Sequence, residues 1–478
     1  MELMECESEH FPPCPWTSEF PESEEPPSRR LLRLPVGYHA SDFNAVSENL
    51  GGDGSLSRLR SELTRRDLWL MIDLVANHAG PVEGRDFSKV RPFNDGSHYH
   101  DFCPIDFDHL ERMSREDIER CQLADLPDLN SENEQVQDAL IEIWRRHVKD
   151  YGADGLRLDT VPYVPRWLWR KLAGDAETPT KEQVLVLGEV LLGKLTEEDE
   201  MEYLTGGHLS GLLNYPLHWA IRSVFTEEKE SFPFLWQTVE RLRERMGDKV
   251  RVLGNFIDNH DQPRFLSLNS NRMSLANALT FLLSHEGVPI VYYGTEQEMD
   301  SGPTDSDNRA PLWQEEGAFN SSHPLCKLIA ELNGMRLNGS FAGEERLVAL
   351  SEDFLVLGFS QDDNNVEGGS SLGGAVVVVS KGGQQGGVRY VQIDRVSLPS
   401  SLSDAQMLCD QLWGVGVGFE IRSKSELDSE FVEGEGCVDL EAAGATVRVP
   451  VYSGRPRVFV PVGKSMRGVQ SSWRYEYA

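Results

Sequence analysis

Four polar clusters decide the fold expected of this sequence: Asp73-Leu-Val-Ala-Asn77-His78, Gly155-Leu-Arg157-Leu-Asp159, Gly188-Glu189 and Asn259-His260-Asp261. Each cluster closes a run of apolar residues, which is the pattern of a buried strand that ends in polar side chains. In a parallel α/β barrel, the carboxyl ends of the strands meet at one mouth, where the catalytic groups gather. We therefore expect these carboxylates, imidazoles and one guanidinium to converge.

Strands and helices alternate around these clusters. The predicted strands are residues 70–75, 155–158, 184–187, 211–214, 252–257 and 288–292. Helices are predicted over residues 55–66, 272–284 and 323–337, and another from a capping box of Ser131 and Glu134 to a C-cap at Gly152. The alternation indicates βαβ units, and polar clusters after several different strands favour a (β/α)8 TIM-type barrel over an open sheet.

The remaining segments divide the chain further. Residues 1–36, rich in Pro, Glu and Ser, are expected to form a disordered arm. The barrel is assigned to 37–338, with the long polar connection 79–130 as a loop subdomain after the barrel's third strand. Period-two runs at 354–359, 375–379, 388–393 and 446–451 predict an antiparallel β-sandwich over 339–462, followed by a tail of residues 463–478.

Composition excludes several classes of partner. With 78 acidic and 46 basic residues, the formal charge is −32, which disfavours nucleic acid and anionic membranes. No apolar run approaches the roughly 20 residues that span a bilayer. The first residues are acidic and show no signal peptide.

Among seven cysteines, Cys103 and Cys121 fit either a small disulfide or two buried thiols.

Three carboxylates form the expected reactive set: Asp159, Glu189 and Asp261. Their mutual repulsion and burial should raise the pKa of one of them and give an acid beside an ionised nucleophile, as glycoside hydrolysis requires. Arg157 lies two residues before Asp159, so both face the same side of a strand and Arg157 can keep that carboxylate ionised. Taken singly, a strand-end Asp or Glu is more often a helix cap or a surface charge than a functional residue.

Other polar residues suggest ligand contacts. His78 and His260 are neutral donors suited to sugar hydroxyls. The amide oxygen of Asn77, near a loop that carries Glu119 and Asp128, suggests an oxygen-only metal site suited to calcium. Asn77 alone is also typical of a turn, and His78 alone of a core histidine.

Together these motifs resemble the α-amylase family of retaining glycoside hydrolases, and secreted fungal members most closely. All four signature regions occur in order, and the resemblance extends from about residue 37 to 461, including Asn214-Tyr-Pro, 288–296 and 305–309. The resemblance starts after the family's first two barrel strands, so it implies a barrel that is incomplete at its N-terminus.

The resemblance also implies roles for individual residues. Asp159 would be the nucleophile, Glu189 the general acid/base and Asp261 the stabilising carboxylate. The residues implied in glucose binding are Tyr38, His78, Arg157, His260, Asp305 and Arg309. Those implied in binding Ca²⁺ are Asn77, Glu119, Asp128 and Tyr163, the second and fourth through backbone oxygens, and Cys103 with Cys121 resembles a family disulfide.

The leading functional prediction is therefore endo-acting hydrolysis of α-1,4-glucosidic bonds in starch or glycogen. An α-glucosidase or a transglycosylase of the same family would carry the same signature residues. A non-catalytic carbohydrate-binding protein on this scaffold is a further alternative. The expected partner is an α-glucan and the expected state is a monomer, and the family resemblance implies an extracellular location.

Overall fold

A computed structural model gives the fold of the chain. It describes residues 40–174, 184–191, 202–204, 209–302, 308–315, 317–360, 374–381, 388–394, 397–399, 402, 407–412, 437–439, 446–452 and 454–462. The predicted arm of residues 1–36, the predicted tail and any strand before residue 40 lie outside these ranges. The described residues form two compact units: residues 40–216 with 242–255, and residues 217–241 with 256–462.

The first unit contains a four-stranded parallel sheet in the order β1-β2-β3-β4. Its strands are β1 (Met71–Leu74), β2 (Gly155–Leu158), β3 (Leu185–Gly188) and β4 (Gly211–Leu212). All four were predicted. Neighbouring strands are in register, since Asp73 pairs with Arg157 and Leu158 pairs with Gly188. The polar residues that follow β1, β2 and β3 therefore emerge at one edge of the sheet.

Gly211 shows how closely the backbone packs beside this sheet. A Cβ atom at this position would lie 1.9 Å from the Val252 carbonyl oxygen. Only glycine allows this approach without moving the main chain. Beyond β4, the predicted strands β5 (Gly254–Phe256) and β6 (Val288–Ile290) are also present, each shorter than expected.

Helices occur between the strands, as the sequence predicts. The α-helices are α1 (Gly52–Arg65), α2 (Arg115–Ile118), α3 (Glu134–Lys149), α4 (Arg166–Gly174), α5 (Tyr215–Ile221), α6 (Phe232–Met246), α7 (Phe265–Leu268), α8 (Arg272–Ser284) and α9 (Pro324–Leu337). A π-helix, Arg222–Thr226, follows α5, and 3₁₀ helices occupy Glu48–Leu50, Val161–Tyr163, Gly247–Val252, Thr295–Gln297 and Leu312–Gln314.

The predicted cap of α3 is wrong. Asn133, not Ser131, is the N-cap residue, and its side chain accepts a hydrogen bond from the Gln135 backbone N–H. An asparagine directly before the helix satisfies one of the first free N–H groups, so the serine two residues earlier is not needed there. Asp150 occupies the C-cap position, and Gly152 follows with φ +70°.

The connection over residues 79–130 is built of short turns of helix and a disulfide. Besides α2, it contains the 3₁₀ segments Glu83–Arg85, Phe87–Lys89, Gly96–His98, Phe107–Arg112 and Leu123–Asp125. Cys103 and Cys121 form the disulfide that the family resemblance implies. Ile105, Ile118 and Cys121 of this segment pack in a small apolar cluster with Tyr163, which follows β2.

The second unit ends in an antiparallel β-sandwich, as predicted. Its strands are β7 (Glu345–Leu350), β8 (Phe354–Ser360), β9 (Gly374–Ser380), β10 (Val388–Asp394), β11 (Met407–Asp410), β12 (Cys437–Asp439), β13 (Thr446–Tyr452) and β14 (Arg457–Val462). One sheet has the order β12-β11-β14-β9-β8-β7 and the other pairs β10 with β13. Val376, Val391 and Val449 from the two sheets share one buried cluster.

Candidate active site

Two carboxylates lie side by side where β2 and β3 end. Asp159 and Glu189 each directly follow a strand, and their main chains continue the sheet's hydrogen bonding. The Asp159 N–H donates to the Leu74 carbonyl at 3.1 Å, and the Glu189 N–H donates to the Leu158 carbonyl at 2.8 Å. The backbone thus stays within the sheet at these positions, and the two residues are buried, at 5% and 4% exposure respectively.

Arg157 joins these carboxylates to a third one. Its Nη1 donates to Asp159 Oδ1 at 2.6 Å and to both carboxylate oxygens of Asp73, at 3.0 and 2.9 Å. Its Nη2 forms an ion pair with Glu189 Oε1 at 2.7 Å. We call Arg157, Asp73, Asp159 and Glu189 the Arg157 cluster. One positive charge thus faces three carboxylates.

The contact between Arg157 and Asp159 agrees with the sequence prediction, whereas Asp73 was not predicted as a partner of Arg157. The missing information is the strand register, since Asp73 and Arg157 are paired residues on neighbouring parallel strands. Paired residues of this kind point to the same face of a sheet. Once β1 and β2 are aligned, the contact follows.

Burial outweighs the arginine in setting the charge of Asp159. The pKa of this carboxyl is raised to about 7: burial is the largest cause, Arg157 opposes it, and the neighbouring Glu189 and Asp73 add to the rise. This differs from the expectation that Arg157 keeps Asp159 ionised. A guanidinium shared among three carboxylates compensates each of them only in part.

Glu189 is held by two further donors. The Thr160 backbone N–H donates to Glu189 Oε2 at 3.2 Å, and the Tyr215 hydroxyl donates to Glu189 Oε1 at 3.2 Å. Thr160 adopts a left-handed conformation with φ +50°, which turns the chain directly after Asp159. Tyr215 belongs to the Asn214-Tyr-Pro motif, but its contact with the acid could not be read from that motif alone.

An oxygen-rich cluster lies beside β1. The Asn77 side-chain amide contacts Asp128 Oδ1 at 3.1 Å and the Tyr163 carbonyl oxygen at 3.0 Å. Asp128 is 1% exposed, and burial raises its pKa to about 7 against the opposing effect of His100. The His100 Nδ1 lies 2.6 Å from Asp128 Oδ2. We call Asn77, Asp128 and Tyr163 the oxygen cluster.

The donor chemistry of the oxygen cluster suits a hard cation. It offers one amide, one carboxylate and one backbone carbonyl, and oxygen ligands of these kinds are the ones calcium prefers. Glu119, expected here through its backbone oxygen, forms an ion pair with Arg115 through its side chain at 2.7 Å. Over the described ranges, no group of three or more His, Cys, Asp or Glu side chains is placed to hold a metal.

The third expected carboxylate, Asp261, belongs to the second unit. Arg309 Nη2 donates to Asp261 Oδ1 at 2.6 Å, and His260 Nε2 lies 3.0 Å from Asp261 Oδ2. Arg309 Nε also donates to the His260 carbonyl at 2.9 Å. The structure thus brings together three of the predicted substrate-contacting residues.

The turn that carries Asp261 is built by two asparagines. Asn259 Oδ1 accepts hydrogen bonds from the backbone N–H groups of Asp261 and Gln262, both at 2.9 Å. Asn308 Nδ2 donates to the carbonyls of Asn259 and Gln262, at 2.8 and 2.6 Å. Tyr38 and Asp305, the other predicted glucose-binding residues, lie outside the described residues.

In the part of the chain that the structure describes, no helix is long and apolar enough to cross a membrane.

Comparison with known proteins places this arrangement in context. The family profile described as Alpha amylase, catalytic domain, matches residues 21–319, more than half of the chain. Alpha-amylase 2 of Schizosaccharomyces pombe is 33% identical over 307 residues, covering 63% of this chain and 50% of that protein. The alpha-amylase of Saccharomycopsis fibuligera is 30% identical over 333 residues, covering 67% of this chain and 64% of that protein.

Similarity to a solved structure extends beyond residues 21–319, the region that the family profile matches. An alpha-amylase from Malbranchea cinnamomea superposes with a TM-score of 0.69 and 26% identity, over 89% of this chain and 81% of that one. The predicted fold class, a TIM-type barrel followed by an antiparallel β-sandwich, is thereby confirmed. This chain spans about half the length of the first curated relative that it matches.

Proposed function

Since this chain belongs to the family of the α-amylase catalytic domain, we propose that it hydrolyses internal α-1,4-glucosidic bonds of starch or glycogen with retention of configuration. The observation that carries the proposal is the Arg157 cluster, in which one guanidinium contacts both Asp159 and Glu189. A retaining glycosidase needs two carboxyl groups on opposite sides of one bond at short separation, and a shared arginine supports such a spacing.

Asp159 acts as the nucleophile. Its carboxylate attacks the anomeric carbon while Glu189 protonates the leaving oxygen, and water deprotonated by Glu189 then releases the sugar. Arg157 orients Asp159 through the 2.6 Å contact with Oδ1. Thr160 N–H and the Tyr215 hydroxyl fix the orientation of Glu189, which must serve first as acid and then as base.

The remaining predicted residues bind the sugar. Asp261 stabilises the transition state, and Arg309 and His260 fix its carboxylate through their contacts with both oxygens. His78 donates to or accepts from a sugar hydroxyl. Tyr38 stacks on a sugar ring, and Asp305 binds a hydroxyl.

Calcium is the proposed cofactor. Asn77 Oδ1, Asp128 and the Tyr163 carbonyl would hold it, with the Glu119 carbonyl as a further ligand. When bound, the ion supplies a fixed positive charge that compensates the buried Asp128 carboxylate. We further propose that the protein is an extracellular monomer with an α-glucan as its partner, and the Cys103–Cys121 disulfide supports an oxidising compartment.

Starch hydrolysis by the full chain beside its Glu189→Gln variant tests the function. We expect the variant to lose activity by 10²-fold or more, because it cannot exchange the proton. Glu142→Gln, at a glutamate whose side chain is 63% exposed, is the matched control and should stay fully active. Equal inertness of the folded wild type and Glu189→Gln would remove the enzyme assignment.

Analysis of the products separates the proposal from the family alternatives. Internal cleavage of starch with release of α-anomeric oligosaccharides supports an endo-acting retaining hydrolase. Release of glucose alone indicates an α-glucosidase, and new glucosidic bonds formed from maltose indicate a transglycosylase. Glucan binding without any cleavage indicates a carbohydrate-binding protein.

A further inference from the structure

The side-chain amide of Asn77 has Asp128 and the Tyr163 carbonyl on one side and the ring of His78 on the other. One of its terminal atoms faces Asp128 Oδ1 at 3.1 Å and the Tyr163 carbonyl at 3.0 Å. The other terminal atom lies 3.2 Å from His78 Nδ1. The amide therefore presents opposite hydrogen-bonding groups to its two sides, and turning it over exchanges them.

Without a cation, hydrogen bonding favours one orientation. The amide nitrogen then donates to Asp128 Oδ1 and to the Tyr163 carbonyl, and its oxygen accepts from a proton on His78 Nδ1. A cation held by the cluster requires the reverse, because a metal binds the amide oxygen and not the NH₂ group. The NH₂ group then faces His78 Nδ1, which must accept.

We propose that a cation in the oxygen cluster turns the Asn77 amide and thereby moves the proton of the neutral His78 ring from Nδ1 to Nε2. This inference rests on the calcium site of the proposed function. The position of the proton determines the hydrogen bond that Nε2 can form with a ligand. Nε2 donates a hydrogen bond when the cation is bound and accepts one when the cation is absent. The ring changes its hydrogen-bonding polarity without changing its charge.

The surrounding backbone makes the amide the element that moves. Asn77 and His78 are 2% and 3% exposed. The Leu129 N–H donates to the Asn77 carbonyl at 2.8 Å, and His78 and Asp128 form an antiparallel bridge. These main-chain bonds join the segment that carries Asn77 and His78 to the segment that carries Asp128. Rotation of the Asn77 amide by half a turn is therefore sufficient to link cation binding to the position of the proton on His78.

Nitrogen-15 NMR of the full chain labelled at histidine tests this inference. Spectra are recorded at pH 8, where an ordinary imidazole is neutral, with calcium and with a chelator. The His78→Gln variant identifies the His78 signals. We expect Nδ1 to carry the proton in chelator, and the protonated and unprotonated nitrogen signals to exchange positions between Nδ1 and Nε2 in calcium.

Two variants sharpen the result. Asn77→Asp has an oxygen on both sides, so it can hold the cation and still accept from Nδ1, and its His78 should stay protonated at Nδ1 in both conditions. Asp128→Asn lacks the charged ligand, so adding calcium should leave its His78 signals unchanged. Circular dichroism and calorimetric titration with calcium establish folding and binding separately for each protein.

Calcium binding by the wild type without any exchange of the His78 signals overturns the inference, as does an exchange that persists in Asn77→Asp. Absence of calcium binding overturns it together with the metal site. Neither outcome depends on glucan cleavage, so the starch assay with Glu189→Gln judges the proposed hydrolase independently.

Discussion

Two aspartate–arginine pairs, one in each unit, have the same contact distance but different surroundings. Arg157 contacts Asp159 at 2.6 Å, and Arg309 contacts Asp261 at 2.6 Å. The first two side chains are 10% and 8% exposed, whereas the second two are 17% and 29% exposed. Moreover, Arg157 is shared with Asp73 and Glu189.

The distance to an arginine does not by itself determine the charge state of a carboxylate. Asp159 has an arginine in direct contact, yet its pKa is raised to about 7 because burial and two neighbouring carboxylates oppose that arginine. Removing a charge from the Arg157 cluster should therefore have large effects that depend on pH. The same change in the second pair should have a small effect.

Loss of the shared arginine should have the largest effect. Arg157→Leu leaves three carboxylates without their common cation, so we expect the free energy of unfolding at pH 7.5 to fall by about 3–5 kcal/mol. Urea denaturation measures the change. Arg60→Leu is the matched control in the same unit, because Arg60 and Asp154 form a pair at 2.9 Å whose side chains are 28% and 29% exposed. If both variants lost the same free energy of unfolding, the contacts of Arg157 with three carboxylates would not explain its larger expected effect.

Removing the carboxylate with the raised pKa should stabilise the protein at neutral pH. The folded protein keeps a proton on Asp159 up to about pH 7, whereas an unfolded aspartate loses it near pH 3.9. The contribution of Asp159 to wild-type stability therefore falls as the pH rises through this window. Relative to wild type, Asp159→Asn should gain about 2 kcal/mol between pH 5 and pH 8. Urea denaturation at both pH values measures the difference, and parallel pH profiles would refute it.

Removing the neighbouring Asp73 should produce a smaller shift in the same direction. Asp73→Asn deletes one charge that raises the pKa of Asp159. We expect that pKa to fall and the loss of stability between pH 5 and pH 8 to shrink by about 1 kcal/mol. The same pH series measures this. Asp73→Glu keeps the charge and serves as the control. If its stability changed with pH in the same way as that of Asp73→Asn, the charge of residue 73 would not be the cause.

The pair in the second unit should give the smallest effect. Arg309→Leu removes a partly exposed ion pair, so we expect a loss of about 1 kcal/mol or less. The difference from wild type should be the same at pH 5 and pH 8 in urea denaturation. A loss as large as that of Arg157→Leu would remove the distinction between the two pairs.

The sequence predicts the strand ends well because apolar runs that stop at polar residues are local signals. Asp159 and Glu189 are located in this way. Asp73 was missed because its contact depends on the register of two strands that lie 84 residues apart in the chain. Tyr215 was missed for a similar reason, since its hydroxyl meets Glu189 across two different strand ends.

In the C-terminal sheets, too, a contact between distant residues was not predicted from the local sequence. Strands with period-two runs, such as β8 and β9, were predicted. By contrast, β14 was not, because its first residue is Arg457, whose buried ion pair with Asp410 at 2.6 Å replaces the expected apolar contact. A charged residue in a strand indicates exposure unless its partner is known, and that partner lies 47 residues earlier, on β11.

The two ends of the segment 79–130 are joined to each other, and this has a consequence for how the protein can evolve. The Ala79 N–H donates to the Pro127 carbonyl at 3.0 Å, and the Leu129 N–H donates to the Asn77 carbonyl at 2.8 Å. The chain thus leaves and returns at adjacent positions. Because doubling a closed loop costs only about 0.6 kcal/mol, lineages can lengthen, shorten or exchange this segment while the strand ends that carry Asp159 and Glu189 stay unchanged.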